Sequence, residues 1–284
     1  MTQKVWMITG ASRGFGAEIA KAVLATRNKV VGTARRLEAL QSLGANENVL
    51  KVALDVADEA QARTAVDAAL ARFGRIDVLV NNAGYGLLGA VEESSAADVE
   101  NIFRTNVFGL LNVTRAVLPV MRKQRSGHII NMSSLGGYAS GPGFGVYCST
   151  KFAVEAIGEA LSAELAPLGI HATIVEPGYF RTDFLDSSSL SVTKEQIADY
   201  AETVGKVREH AARGNRNQPG DPKKLAQALL QLVNVPDPPV RLPLGTDAVK
   251  RIATKNAFVE QETMKWRALS ESTDFAANTT ATGA

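Results

Sequence analysis

The sequence is poor in the residues that would mark a metal site, a disulfide framework or a membrane span. It has one cysteine, Cys148, so no internal disulfide can form, and its three histidines are scattered rather than set at metal-ligand spacing. No apolar run reaches the length that a transmembrane helix needs. These shortages predict a protein with no bound metal, no internal disulfide and no membrane-spanning segment.

An excess of charge of either sign is also lacking. The formal net charge is +2 at pH 7, which gives no electrostatic case for binding nucleic acid or an anionic membrane. The chain starts without the basic segment and apolar run of a secretion signal, so we expect a cytoplasmic protein. Its 284 residues, of which 45% are hydrophobic, suit one large globular domain.

Short apolar segments alternate with longer segments whose apolar residues recur at helical spacing. The apolar segments suit buried strands, and they cover residues 4–9, 29–34, 49–54, 76–80, 128–133, 170–175 and 240–244. Pro243 restricts the last of them to an edge or end position. This alternation predicts an α/β fold, a Rossmann-type doubly wound parallel sheet of about seven strands with helices on both faces.

Capping residues mark where several helices begin. Asp58, the pair Ser95 and Asp98, the pair Thr193 and Gln196, and Asp221 before Pro222 all precede helical patterns. We expect a single domain over residues 1–272. It would include an irregular substrate loop at 179–193 and a C-terminal helical extension at 245–272, followed by a disordered tail over 273–284.

A glycine-rich turn follows the first apolar segment. It reads Thr9-Gly10-Ala11-Ser12-Arg13-Gly14-Phe15-Gly16 and leads into a helical pattern. Strand, glycine turn and helix form a context in which backbone N–H groups can bind a phosphate. Gly10 and Gly14 would let the backbone approach a pyrophosphate, and Gly16 would let the helix pack closely on the strand. The alternative is a tight turn with nothing bound.

The second apolar segment ends in cations rather than in an acidic residue. In a dinucleotide-binding fold this strand end lies near the adenosine ribose, where a carboxylate suits NAD and an arginine suits the 2′-phosphate of NADP. Arg35 stands at this point, and Arg13 lies in the glycine turn. Because guanidinium groups bind phosphate through paired hydrogen bonds, the two arginines favour NADP(H). Arg36 is left unassigned as a solvated surface residue.

The segment Tyr147-Cys148-Ser149-Thr150-Lys151 carries the pattern with the clearest chemistry. In a helix, Tyr147 and Lys151 share one face, and the lysine ammonium would lower the pKa of the phenol. Ser134, thirteen residues before the tyrosine, could hydrogen-bond a substrate oxygen. The three residues predict proton transfer on a C–OH/C=O pair. A tyrosine and a lysine at this spacing also arise by chance, so the pair by itself is weak.

Several motifs occur together in one order along the chain. They are Thr9-Gly10-x-x-x-Gly14-x-Gly16, Asp55, Asn81-Asn82-Ala83-Gly84, Asn106, Ser134, Tyr147-x-x-x-Lys151 and Pro177-Gly178-x-x-x-Thr182. In combination they resemble the short-chain dehydrogenase/reductase family, in its NADP-preferring oxidoreductase branch. The resemblance covers residues 4–182 motif by motif and extends more loosely to residue 244.

The resemblance implies a role for each matching residue. Tyr147 would be the general acid/base, and Lys151 would lower its pKa and bind the nicotinamide ribose. Ser134 would hold the substrate oxygen, with Ser133 as the alternative serine, and Asn106 would hold a water in a proton relay from Lys151. The implied cofactor-binding residues are Gly10, Ser12, Arg13, Gly14, Phe15, Gly16, Arg35, Asp55, Val56, Asn82, Ala83, Gly84, Tyr147, Lys151, Pro177, Gly178, Phe180 and Thr182.

The resemblance and the two arginines together predict reversible hydride transfer between NADP(H) and a carbonyl or secondary alcohol. Apolar residues near the implied site predict a medium-sized hydrophobic ketone or aldehyde as the substrate. The candidate substrate-binding residues are Leu135, Tyr138, Phe144 and Phe184. Cys148 is expected to be a buried small residue, although its position beside Tyr147 leaves thiol reactivity open.

Two other functions stay open on the sequence. One is an NADP-sensing regulatory protein without catalysis, against which the presence of Ser134, Tyr147 and Lys151 argues. The other is a sugar epimerase or dehydratase, whose glycine spacing and larger substrate domain differ from this sequence. The long helices predicted at 98–125 and 147–168 could pair across a two-fold axis, so a homodimer or homotetramer is a further expectation.

Overall fold

A seven-stranded parallel sheet organises the protein. The structure, a computed structural model, describes residues 3–275, so residues 276–284 of the predicted tail lie outside the described part. The strands are β1 (Val5–Ile8), β2 (Lys29–Ala34), β3 (Val49–Ala53), β4 (Val78–Asn81), β5 (Gly86–Leu88), β6 (Gly127–Met132), β7 (Ile170–Pro177), β8 (Leu190–Val192) and β9 (Arg241–Leu244). The main sheet has the order β3-β2-β1-β4-β6-β7-β9 with every pair parallel, which confirms the predicted Rossmann-type fold.

Helices cover both faces of this sheet. They are α1 (Gly14–Ala25), α2 (Glu59–Phe73), α3 (Ala96–Phe103), α4 (Gly109–Gln124), α5 (Gly145–Leu165), α6 (Lys206–Gly214), α7 (Pro222–Leu232) and α8 (Thr246–Glu271). A π-helical turn, Arg104–Phe108, joins α3 to α4 without a break. Helices α1 and α7 pack on one face, and α2, α4 and α5 pack on the other.

The central strand shows why the sheet is buried on both sides. Trp6 and Ile8 of β1 join the apolar cluster under α1 and α7, whereas Val5 and Met7 join the cluster under α2, α4 and α5. All four are at most 1% exposed. Because successive side chains of a strand point to opposite faces, a strand covered on both sides must be apolar throughout.

The capping residues fix most of the predicted helix starts. Asp58 accepts hydrogen bonds from the backbone N–H groups of Ala60 and Gln61, and the Asp221 carboxylate accepts one from Lys223. Ser95 and Asp98 form the predicted capping box at the start of α3. These predictions are confirmed, as is the position of β9, which contains Pro243, at the edge of the sheet.

The predicted helix start at Thr193 is wrong. The backbone N–H of Thr193 donates to the Leu88 carbonyl at 3.0 Å, so this residue continues a small parallel pairing of β8 with β5 that the sequence did not indicate. Its hydroxyl donates to the Glu195 carbonyl instead of capping a helix. Helix α6 begins only at Lys206, after two irregular helical turns.

The second half of α8 is exposed to solvent along its length. Every residue from Asn256 to Glu271 is exposed, including Met264, Trp266 and Leu269, which are 60%, 55% and 62% exposed. The first half is the attached part, where Ala248 is buried and the Arg251 guanidinium donates to the Ser140 carbonyl. The predicted C-terminal helical extension is therefore present, with most of its surface in solvent.

We predict that His128 makes the protein sensitive to acid. The ring is 4% exposed and its Nε2 lies 2.9 Å from Thr173 Oγ1, which itself donates to the Pro239 carbonyl. Burial lowers the pKa of His128 to about 3. Between this value and the unfolded pKa of about 6.5 only the unfolded chain takes up the proton, so stability falls as pH falls through that window.

Replacing His128 with leucine should remove this part of the acid dependence. Between pH 7.5 and pH 5 the free energy of unfolding should fall by about 2 kcal/mol less in His128→Leu than in the wild type. Thermal unfolding at the two pH values measures it, with His210→Gln at an exposed position as the control. Equal losses in His128→Leu and the wild type would contradict the assignment.

Candidate active site

The glycine turn between β1 and α1 lies at the carboxyl edge of the sheet, and its backbone carries no side chains of its own at the three glycines. Gly10 and Gly14 have φ values of +65° and +52°, a region that favours glycine. A Cβ on Gly16 would lie 2.3 Å from the Gly10 carbonyl oxygen and 2.6 Å from Asn82 Nδ2. The turn therefore requires glycine at position 16 for close packing, as the sequence predicted.

Asn82 and Thr9 hold the glycine turn against the end of β4. The Asn82 amide donates to the carbonyls of Thr9 and Gly10, at 2.9 and 3.2 Å. In return the Thr9 hydroxyl accepts from the backbone N–H groups of Asn82 and Ala83. Thr9 was absent from the predicted site residues. Its position at the end of a strand, directly before the glycine turn, was the available signal.

Residues after β7 lie over the same turn. The Phe180 ring packs edge-on against the Phe15 ring, with 5.4 Å between centroids. A Cβ on Gly14 would lie 3.9 Å from Thr182 and 3.1 Å from the Asp183 carboxylate. The segment that begins at Pro177 and Gly178 thus meets the glycine turn, although the two are far apart in sequence.

The two arginines predicted to bind a phosphate differ in their surroundings. Arg13 forms an ion pair with Asp183, at 3.1 Å, and donates to the Ser188 carbonyl. Arg35 follows the end of β2 and is exposed. Within residues 3–275 it has no ion-pair partner. Arg35 is therefore available to an incoming anion, whereas Arg13 would have to share its guanidinium with Asp183.

Asp55 and Val56 follow β3 on the same edge. The Asp55 carboxylate accepts from the Ala57 N–H at 3.0 Å, and the Val56 carbonyl accepts from the Asn112 amide. Val56 also explains the glycine at the start of α4, because a Cβ on Gly109 would lie 2.5 Å from Val56. Close packing of α4 on this segment thus outweighs the low helix propensity of glycine.

Asn106 lies in the π-helical turn between α3 and α4. Its side-chain oxygen accepts from the Tyr85 N–H, and its amide donates to the Tyr85 carbonyl and to the Thr150 hydroxyl, all within 3.1 Å. A Cβ on Gly84 would lie 3.0 Å from Asn106 Oδ1 and 3.8 Å from Lys151 Nζ. The structure therefore brings Asn106, Gly84 and Lys151 together.

Tyr147 and Lys151 lie one turn apart near the start of α5. Both side chains are buried, and Lys151 Nζ is 5.9 Å from the centre of the Tyr147 ring. The ammonium donates to the Met132 carbonyl, at the end of β6, at 2.8 Å. Ser134 follows two residues later, and its hydroxyl accepts from the Gly136 N–H at 3.0 Å. Helix α5 and the end of β6 thus position the three predicted residues.

Burial dominates the protonation of both groups. It raises the pKa of Tyr147 above its ordinary value, although the neighbouring Ser134 hydroxyl favours the phenolate. It lowers the pKa of Lys151 to about 8. For Tyr147 the sequence predicted a lowered pKa, and this direction is wrong because the loss of solvent disfavours the phenolate.

Aromatic side chains surround the tyrosine. The rings of Phe144 and Phe184 lie 6.1 and 5.5 Å from the Tyr147 ring, and Cys148 belongs to the same buried cluster. Burial raises the pKa of the Cys148 thiol, which agrees with its expected role as a small buried residue. Leu135, which follows Ser134, is half-buried.

Tyr138 lies apart from this aromatic cluster. Its ring stacks on the Arg241 guanidinium, 5.3 Å from the ring centre, and its hydroxyl donates to Asn256 of α8. The sequence grouped Tyr138 with Phe144 and Phe184 as apolar residues expected near the implied substrate site. The helical turn Leu135–Gly137 separates Tyr138 from them, so it contacts β9 and α8 instead.

The family model described as short chain dehydrogenase matches residues 4–192. The chain belongs to the short-chain dehydrogenase family. The resemblance to this family stated from the motifs is thereby confirmed, and so is the oxidoreductase class, whereas the preference for NADP stays a prediction.

Two similar proteins align over nearly the whole chain. Oxidoreductase BOA17 from Botryotinia fuckeliana is 40% identical over 270 residues, which covers 94% of this chain and 98% of that protein. The 3-ketodihydrosphingosine reductase of Bacteroides thetaiotaomicron is 36% identical and covers 94% of this chain and 97% of that protein. Both alignments therefore span nearly the full length of each protein.

Solved structures of other family members resemble the fold closely. A short-chain dehydrogenase from Streptomyces avermitilis is 42% identical, with a TM-score of 0.90 over 96% of this chain and all of that chain. One from Burkholderia phymatum, in complex with NAD, is 26% identical, with a TM-score of 0.81 over 92% of this chain and 95% of that one. A serine dehydrogenase complexed with NADP⁺ is 29% identical, with a TM-score of 0.72 over 84% of this chain and 94% of that one.

Across residues 3–275 no group of three or more histidine, cysteine or acidic side chains is arranged to hold a metal ion. None of the helices in this range combines the length and apolar character that crossing a bilayer requires.

The residues at this edge fit a dinucleotide. The glycine turn has no side chain at positions 10, 14 and 16. Hydrogen bonds between Asn82 and the backbone and side chain of Thr9 and the carbonyl of Gly10 hold the turn in place. We predict that Gly16→Ala weakens dinucleotide binding at least about tenfold, because the new methyl group would push the Gly10 carbonyl and Asn82 out of place.

Titration of the protein's intrinsic fluorescence with NADPH measures this binding. Gly141→Ala is the matched control, since a Cβ there meets nothing within 4 Å. Wild-type affinity in Gly16→Ala would contradict the assignment of the turn.

Proposed function

We propose that this protein is an NADP(H)-dependent oxidoreductase that interconverts a carbonyl group and a secondary alcohol. The observation that carries the proposal is the meeting of Ser134, Tyr147 and Lys151 with Asn106 at the edge of the sheet where the glycine turn lies. When bound, the cofactor would supply or accept the hydride. The protein would bind and orient both reactants and would transfer a proton.

Tyr147 is the proposed proton donor for reduction. A phenol whose pKa is raised by burial is fully protonated at neutral pH, and it can give its proton to the alkoxide that forms on the substrate. Ser134 would donate a hydrogen bond to the same oxygen. Lys151, as a buried cation beside the ring, would stabilise the phenolate that remains, and Asn106 would link this pair to solvent.

The proposed cofactor is NADP(H) rather than NAD(H). Support comes from Arg35, which is exposed after β2, the strand end that lies near the adenosine ribose in dinucleotide folds. Arg13 would be a second cation for the 2′-phosphate if it releases Asp183. Related structures have been solved with NAD and with NADP⁺, so both cofactors occur among structural neighbours.

The proposed substrate is a medium-sized hydrophobic ketone or aldehyde. Phe144 and Phe184 supply apolar surface next to Tyr147, and Leu135 follows Ser134. The name of the Bacteroides relative, 3-ketodihydrosphingosine reductase, specifies a keto substrate.

We further propose a cytoplasmic homo-oligomer built from one domain over residues 1–272. Phe108, between α3 and α4, is 55% exposed, and Phe152 on α5 is 45% exposed. Exposed aromatic residues on two long helices suit a pairing of these helices across a two-fold axis.

Substitution of Tyr147 tests the reaction. Tyr147→Phe should lower NADPH-dependent reduction of a hydrophobic ketone by at least about a hundredfold, because the phenol is the proton donor. NADPH absorbance across a panel of ketones and aldehydes gives the rate. Tyr138→Phe is the matched control and should keep near-wild-type activity, since that hydroxyl contacts Asn256. A wild type that oxidises no NADPH on any substrate, or an active Tyr147→Phe, would overturn the proposal.

Substitution of Arg35 tests the cofactor. The wild type should prefer NADPH to NADH, and Arg35→Glu should reduce that preference about tenfold or more by removing a charge-assisted contact and adding a like charge. Dissociation constants for both cofactors measure the effect, with Arg36→Glu as the neighbouring control. Equal affinity of the wild type for NADH and NADPH would refute NADP(H) preference.

A further inference from the structure

Behind Lys151, helix α5 meets β7 and β9 through charged side chains that are largely buried. Glu155, one turn after Lys151 on α5, is 4% exposed, and Glu176 on β7 is 1% exposed. Arg241 of β9 pairs with both carboxylates, and its bond to Glu176 is 2.8 Å. It also pairs with Glu159, which is exposed on the next turn of α5. Two buried carboxylates therefore share one arginine.

The buried charges balance only when Lys151 is included. Arg241 can compensate one of the two buried carboxylates, which leaves one negative charge. Lys151 is 8% exposed, and its ammonium donates to a backbone carbonyl rather than to a carboxylate. Because an uncompensated charge is costly in the interior, a buried cation and a buried anion one helical turn apart stabilise each other.

Glu155 has one oxygen that the arginine does not use. Arg241 binds Oε2, whereas Oε1 is buried and lies on the side of the Ser133 hydroxyl. A Cβ on Gly137 would lie 2.9 Å from this oxygen and 2.4 Å from the buried Oγ of Ser133. Ser133 directly follows Met132, whose carbonyl accepts from Lys151. The free side of the carboxylate thus lies beside the strand end that holds the lysine.

We propose that Glu155 is a positioning residue that acts through Lys151 and keeps this lysine charged beside Tyr147. The inference rests on the proposed function, in which a charged Lys151 stabilises the Tyr147 phenolate. Burial lowers the pKa of Lys151 to about 8, and the charge on Glu155 opposes this effect. Burial and the neighbouring Glu176 raise the pKa of Glu155 itself to about 7, so its carboxylate is charged in the alkaline range where Lys151 titrates. Without that carboxylate the lysine would lose its proton at a lower pH, and the site would lose its cation within the neutral range.

Other charged or titratable groups also face Glu155. Most belong to elements packed against it, and two belong to α8 across a cavity of about 520 Å³. They are Lys151 and Glu159 of α5, Tyr138, Glu176 of β7, Arg241 of β9, and Lys255 and Glu260 of α8. Among them Glu159 offers a matched comparison, because it binds the same arginine but lies a further turn from Lys151.

The pH dependence of reduction tests the proposal. Glu155→Gln keeps the side-chain shape and an oxygen for Arg241 but removes the charge. The rate of this variant should fall at alkaline pH, where Lys151 loses its proton, about one pH unit below the fall seen in the wild type. The rate of Glu155→Gln divided by the wild-type rate should therefore be about tenfold lower at pH 8.5 than at pH 6. Glu159→Gln should keep the wild-type profile, and Glu155→Asp, which keeps the charge, should restore most of it.

A stability cycle tests the same coupling without catalysis. At pH 7.5, Glu155→Gln should lower the melting temperature more in the wild-type background than in Lys151→Met, where no buried cation is left uncompensated. The proposal would be overturned if Glu155→Gln lowered the melting temperature equally in the wild type and in Lys151→Met. It would also be overturned if Glu155→Gln lowered the rate by the same factor at every pH, since Glu155 would then act only through packing. If Tyr147→Phe is active the proposed function fails, whereas the stability cycle still reports on the pairing of Glu155 with Lys151.

Discussion

The ammonium group of Lys151 is buried between α5 and the end of β6, where it donates to the Met132 carbonyl. A cation in the interior must be held by surrounding dipoles and charges, since it has given up its hydration. Three elements meet that requirement here. The end of β6 supplies a carbonyl, α5 supplies Glu155 one turn later, and the π-helical turn at Asn106 closes the remaining side through Gly84.

The same burial sets the proton chemistry of the site. It raises the pKa of Tyr147 and lowers that of Lys151, so burial shifts the protonation equilibrium of each group towards its neutral form. A protonated phenol suits the donation of a proton to a developing alkoxide, and a lysine that titrates near pH 8 is sensitive to any nearby carboxylate. The buried carboxylates and Arg241 therefore bear on the proposed chemistry as well as on the packing of β7 and β9.

Predictions from local patterns succeeded where the physical cause is local. Asp58, Ser95 with Asp98, and Asp221 cap their helices because each side chain reaches a backbone N–H two or three residues away. Thr193 had the same pattern and failed, since a backbone hydrogen bond to Leu88 holds it in a strand pairing. The position of Tyr138 likewise depends on the folded chain, which places it against Arg241 and α8.

The sequence by itself determined the alternation of strands and helices, the need for glycine at position 16, and the spacing that sets Tyr147 and Lys151 on one face of a helix. These features follow from side-chain periodicity and local geometry. The tertiary structure decided the direction of the Tyr147 pKa, the pairing of Arg13 with Asp183 and the grouping of Glu155 with Glu176 and Arg241. Each depends on burial or on contacts between distant segments, and both arise only when the parallel sheet brings those segments to one edge.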